Sequence, residues 1–184
     1  MIRKTTLYIF TKKMIVSGKE IAKLIDKEIF IDPYTPRQLN PNSYNLRLHH
    51  ELLIYEDQVL DMKKDNTTRK VTIPEEGLVL EPNVLYLGRT VEHIRTEHHV
   101  PMLEGRSSIG RLGIVVHLTA GLGNIGSSGF WTLEIACVQP VRVYPNVEIC
   151  QIFFQDIRGE HEKYQSSKYH HEDIQPSLLF QELI

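Results

Sequence analysis

Cysteine is scarce in this chain. Its 184 residues include two, Cys137 and Cys150, each inside an apolar run and neither in a C-x-x-C. That excludes a disulfide framework and a thiolate zinc site, and reads as two buried thiols of a reducing compartment. Charge of one sign is lacking too. Lys and Arg number 21 against 23 Asp and Glu, a formal net charge of -2, which argues against a generally basic nucleic-acid surface while leaving a local basic pocket open. No apolar stretch is long enough to span a bilayer, so neither nucleic acid nor membrane is an expected partner. Met1 to Lys13 holds basic residues and one short apolar patch, Leu7 to Phe10, without a small-residue cleavage site; it reads as a poor secretory signal. Histidines are numerous, but His49-His50, His98-His99 and His170-His171 are adjacent pairs, which a strand points to opposite faces. None has an H-x-E with P-C-x-x-C downstream, so zinc-hydrolase and zinc-deaminase readings lack their ligands. Internal repeats and low-complexity blocks are absent.

What is present suits one domain with a real core, at 41% hydrophobic composition. Ser17-Gly18-Lys19-Glu20 is a capping box followed by Ile21, Leu24 and Ile25 at helical spacing, which predicts a short helix. Asp32 to Ser43, with three prolines, is extended or turning chain. From Tyr44 to Phe154 short alternating or apolar runs follow one another: 45–53, 71–73, 78–80, 85–90, 114–119, 130–138, 141–144 and 147–154 read as strands. Pro145-Asn146 suits a tight turn. Many short strands predict a mainly β fold, an antiparallel sandwich or distorted barrel. The segment 156–173 is polar and 174–184 turns apolar again, as in a tail that docks on its own body or on a neighbour. The expected organisation is an extension over 1–13, a β domain over 14–157 and a C-terminal tail over 158–184.

The most informative stretch is Glu104-Gly105-Arg106-Ser107-Ser108-Ile109-Gly110-Arg111-Leu112-Gly113. Two guanidiniums and two hydroxyls fall within six positions between apolar neighbours, a pattern suited to an anion. If Ser107 to Leu112 form a short helix, Ser107 and Arg111 share a face, Ser108 joins them, and free amides at the helix start add an electropositive cradle. The alternative is a Ser-capped turn with two solvated arginines. In Trp131-Thr132-Leu133-Glu134-Ile135, alternation puts Glu134 on the face of Thr132 and Ala136. A carboxylate among small neighbours there either lines a pocket, where it can serve as an acid-base group, or simply faces solvent. His117, within Val115-Val116-His117-Leu118-Thr119-Ala120, is the histidine that stands apart from the pairs.

Together, Gly105 to Gly113, then Val116-His117-Leu118-Thr119-Ala120, then Gly126-x-x-Gly129-x-x-Thr132-Leu133-Glu134 resemble the dCTP deaminase family of the dUTPase-like all-β superfamily. Ser43-Tyr44-Asn45-Leu46, Val147-Glu148-Ile149-Cys150-Gln151 and Lys168-Tyr169 add to the likeness, which runs from about Met14 to Ser177. The resemblance implies hydrolytic removal of the 4-amino group of dCTP without zinc. It places Glu134 as the proton-moving carboxylate, with Ser107 and Arg111 holding the reactive water. His117, Thr119 and Ala120 would read the pyrimidine edge. Asn124 would meet the sugar, and Arg106, Ser108, Gln151, Tyr164 and Lys168 the triphosphate. It further implies Mg²⁺ carried by the phosphates, a cytoplasmic homotrimer with sites at subunit contacts, a tail that closes over nucleotide, and feedback inhibition by dTTP.

Departures from the pattern shape the expected product. Asn124 stands where the family usually has Asp, Ser127 where it has an aromatic, and Glu172 near a usual Gln. Gly121 and Gly123 suggest a loosened loop. An amide at 124 can accept a sugar hydroxyl but cannot take a proton from water, so release of dUTP is expected. The alternatives are a bifunctional deaminase and diphosphatase giving dUMP and pyrophosphate, and a nucleotide-binding protein that no longer catalyses.

Overall fold

The computed structural model describes residues 15–165 and 172–183. Helix α1 spans Gly18–Leu24, with Ser17 Oγ accepting the Glu20 amide at 3.3 Å, as the capping box requires. The strands follow as β1 (Ile29–Asp32), β2 (Tyr44–Arg47), β3 (Glu51–Tyr55), β4 (Thr68–Thr72), β5 (Leu78–Leu80), β6 (Tyr86–Thr96) and β7 (His99–Gly105). After the single helical turn α2 (Ser107–Gly110) come β8 (Ile114–Val115), β9 (Ser128–Cys137), β10 (Val141–Val143) and β11 (Glu148–Asp156). One sheet runs β4-β3-β6-β9-β8 with β1 also on β6; a second runs β2-β11-β7, and β5 pairs with β10. Every ladder is antiparallel. The mainly β, antiparallel architecture expected from the strand spacing is the one observed. Among the described residues no helix is long and apolar enough to cross a membrane.

The core lies between the two larger sheets. Leu133 and Ile135 of β9, Leu52 of β3, Leu46 of β2 and Ile152 and Phe154 of β11 are fully buried within one cluster. Burying such side chains supplies about 25 cal/mol per Å² of apolar surface, the main force holding the sheets face to face. A polar seam crosses this region. Glu92 on β6 is wholly buried and accepts from Arg47 Nε (2.6 Å), Arg47 N (2.8 Å) and Gln38 Nε2 (2.9 Å). Each carboxylate oxygen is thereby satisfied, which is what lets a charge sit in the interior. Nearby, Tyr44 is held by its hydroxyl, which accepts the Thr35 amide at 2.8 Å, and burial pushes its pKa up to about 12.

Several strands differ from the sequence expectation. The predicted run 45–53 breaks into β2 and β3 at Leu48 to His50, and 114–119 shortens to the two residues of β8. The rings of His49 and His50 are 4.1 Å apart because both lie outside the strands, so the opposite-face rule does not govern them. The Pro145-Asn146 turn is present, with Asn146 at φ +62. Gly121 and Gly123, expected to loosen their loop, instead let it lie against β7. The amides of Leu103 and Gly123 donate to Gly121 O and Pro101 O at 2.8 Å each. A Cβ on Gly121 would sit 2.5 Å from the Leu103 carbonyl oxygen, and one on Gly123 would be 2.7 Å from Pro101 Cγ and from the Trp131 ring. These glycines permit close approach.

Candidate functional site

Glu134 lies on β9 between two fully buried apolar residues, Leu133 and Ile135, so alternation turns its carboxylate to the other face. That face opens into a cavity of about 630 Å³. His117, Ala120, Asn124, Tyr164 and Thr132 join Glu134 in the lining, with Leu85, Leu87, Phe130 and Trp131 supplying apolar wall. The Leu118 amide donates to Glu134 Oε2 at 3.0 Å, tying the 117–120 segment to the carboxylate. Both ring nitrogens of His117 are buried and have no hydrogen-bond partner among the described residues.

Asn124 stands at the rim, lining both this cavity and a shallower one beside Lys163. It opens a β-turn closed by the Ser127 amide on Asn124 O at 3.1 Å, with Gly126 at φ +85 in the third position. The tail reaches the cavity from two sides. On one, the Tyr164 amide donates to Ile125 O at 2.7 Å, and Lys163 pairs with Glu97 at 2.6 Å, which draws the Glu97 carboxyl below its usual range. On the other, the Gln175 amide donates to Thr132 Oγ1 (3.1 Å) and the Ser177 amide to Tyr55 Oη (2.9 Å). Ile174, immediately before them in the chain, is 5% exposed. Asp173 lies 3.5 Å from Arg89, whose guanidinium also stacks over Phe130 at 4.1 Å.

The other expected residues form a second group outside the cavity lining. Arg106 precedes α2, whose start has no side-chain cap; Ser107, Ser108 and Arg111 are exposed around that turn. The Ser-capped alternative therefore does not hold. Gln151 joins this group, with Nε2 donating to Gly105 O (2.9 Å) and Oε1 accepting from Ser43 Oγ (2.7 Å). Thr119 is exposed and does not line the cavity. Lys168 lies outside the described residues, and Glu172 is exposed at the tail. The chain thus brings Glu134, His117, Ala120, Asn124 and Tyr164 together, and keeps Arg106, Ser107, Ser108, Arg111 and Gln151 in a separate patch.

Sequence reading missed Thr132, Tyr55, Arg89 and Phe130 as cavity or tail contacts. The period-2 pattern that pointed to Glu134 already held Thr132 and Phe130 on its face. Tyr55 and Arg89 carried no local signal, since tertiary approach of the tail brings them in. A His49–His50–Glu51 group has ligand atoms within 4.8 Å of one another. Its His49 is already engaged, with Nε2 2.9 Å from Arg89 Nη2 and Nδ1 accepting the Glu51 amide. Burial first, and then Arg89, hold the pKa of His49 down to about 4.

The sequence model of the dCTP deaminase-like family matches residues 15–157. A relative from Hathewaya histolytica is 67% identical over 170 residues, 92% of this chain and 99% of its own, and one from Clostridium acetobutylicum is 59% identical over 172 residues, covering 93% and 99%. Both are named "dCTP deaminase, dUMP-forming". Among solved structures, a 2'-deoxycytidine 5'-triphosphate deaminase from Agrobacterium tumefaciens superposes with a TM-score of 0.63 at 20% identity, over 78% of this chain and 48% of that one, a likeness of fold. The relatives' names overturn the expectation that dUTP is the released product. Losing one general base slows a step by roughly a hundredfold to ten-thousandfold without removing it, and phosphoryl chemistry rests largely on positioning and charge neutralisation, so an amide at position 124 does not by itself exclude a second step. By sequence and fold together, the chain is an enzyme of the dCTP deaminase-like family.

Proposed function

We propose that this enzyme converts dCTP to dUMP, ammonia and pyrophosphate by hydrolysis at C4 of cytosine and then at the α-phosphate. The observation that carries it is identity of up to 67% along 92% of the chain to relatives named for that product. Water adds to C4 and Glu134 moves its proton to N3 and on to the departing amine. The Leu118 amide keeps one carboxylate oxygen oriented for that work. Ser107 and Arg111 hold the water and stabilise charge near the base. Because they belong to the patch outside the cavity, a neighbouring copy is the natural donor, and we assign a homotrimer with shared sites. His117, Thr119 and Ala120 read the pyrimidine, and Asn124 accepts the sugar hydroxyl. Arg106, Ser108, Gln151, Tyr164 and Lys168 hold the triphosphate under the tail. Mg²⁺ arrives with the substrate phosphates, since Glu134 is the cavity's one lining carboxylate among the described residues. Inhibition by dTTP at the same site and a cytoplasmic location complete the proposal, the latter supported by two buried, unpaired thiols.

The test is purified protein with dCTP and Mg²⁺, resolved by chromatography. Expected products are dUMP and pyrophosphate. Accumulating dUTP would refute the second step, and unreacted dCTP would refute both. A dTTP titration that leaves the rate flat would remove the regulatory part.

A further inference from the structure

Where β2, β11 and the end of β7 meet, one carboxylate organises the patch outside the cavity. Glu148 opens β11, and its Oε2 accepts from Asn45 Nδ2 at 2.7 Å. The same oxygen stands 3.5 Å from Arg106 Nη2, and Oε1 lies 3.6 Å from Arg37 Nη2. Arg106 Nη1 also donates to the Glu148 carbonyl. Asn45 is 5% exposed, and its own Oδ1 accepts Asn40 Nδ2 at 2.7 Å, so the amide that grips Glu148 is itself fixed.

An acidic side chain beside an arginine that binds phosphate is unfavourable unless it does something else there. Here its charge is divided between two guanidiniums, so Arg37, Arg106 and Glu148 together remain positive. A guanidinium has five N–H donors, and the contacts to Glu148 occupy at most two. The remainder stay available to a ligand. Holding a long side chain in one rotamer before binding removes an ordering cost that would otherwise weaken the complex.

We propose that Glu148, clamped by Asn45, is a positioning residue that aims Arg106 at the phosphate tail of the substrate. This rests on the reading of Arg106 as a triphosphate contact. The experiment is a double-variant cycle of Glu148→Gln and Arg106→Ala, reading kcat, KM for dCTP, calorimetric binding of dCTP and of 2'-deoxycytidine, and Tm. Glu148→Gln is expected to raise KM about tenfold with kcat nearly unchanged, the pattern of lost uniform binding. It should leave 2'-deoxycytidine binding unaltered, and it should add nothing in the Arg106→Ala background. Glu148→Asp, which keeps the charge but withdraws it by one methylene, should fall between and serves if the glutamine variant does not fold. Additive effects in the double variant, or equal weakening of nucleoside and nucleotide, would overturn the proposal as merely structural. If Arg106→Ala leaves dCTP binding intact, the phosphate role of Arg106 fails and the proposal with it. If the wild type binds dCTP without turning it over, the proposed reaction fails while the binding cycle still decides the role of Glu148.

Discussion

Replacing Glu134 with glutamine removes one proton site and little else. The side chain keeps its length on β9, and an amide oxygen can still accept the Leu118 amide that now sits 3.0 Å from Oε2. What that contact loses is charge assistance, about 1 kcal/mol, in a position that is only half buried. The fold should therefore survive with a Tm within a few degrees, since each kcal/mol moves a domain of this size by about 2–4 °C. Chemistry is a different matter. General acid-base transfer contributes roughly a hundredfold to ten-thousandfold, or about 3–5 kcal/mol of barrier. The expected result is loss of ammonia release by at least about a hundredfold, with dCTP binding by calorimetry changed less than about tenfold. Ammonia is read by a coupled assay and nucleotides by chromatography. Turnover within a few-fold of the wild type would refute the assignment. Loss of binding in step with turnover would mean that Glu134 holds the ligand and does not move the proton.

Other perturbations separate stability from function. Glu92→Ala strands three donors in the interior and should cost about 3–5 kcal/mol by chemical denaturation; a loss below about 1 kcal/mol would show that water replaces the carboxylate. Gly121→Ala forces a Cβ toward the Leu103 carbonyl and should cost about 1–3 kcal/mol while raising KM, because the same loop carries Ala120 and Asn124. His49 has a folded pKa of about 4, below its ordinary 6.5, so the unfolded chain binds more protons between those values. Stability should therefore fall as pH drops from about 6.5 toward about 4, and His49→Gln should flatten that part of a Tm-against-pH curve.

Elements with local causes were readable in the sequence. The Ser17 cap, the Asn146 turn and β5 emerge as expected because each depends on neighbours within a few residues. β1 was not foreseen: it is four residues long and lies between α1 and Pro33. β7 was missed since Pro101 falls within it, and a proline has no amide to donate to a ladder. For the site, Glu134 could be found from alternation, and the Arg106 to Arg111 cluster from composition. Their separation in space was invisible, because nothing in the order of residues says that α2 and the cavity-lining face of β9 belong to different surfaces. The glycines at 121 and 123 were misjudged for a related reason: a missing side chain looks like freedom until a neighbouring strand is placed against it.

That packing of the 121–123 loop on β7 reaches beyond the site. β11 occupies one side of β7, and the loop occupies part of the other, where Pro101 offers no donor. A bare strand edge is a template for recruiting a foreign chain into a continuous sheet, the first step of many aggregates. Here the wall of the cavity beside Glu134 doubles as the cover of that edge. A substitution that frees the loop would damage solubility along with turnover, and the two losses should appear together in the same variants.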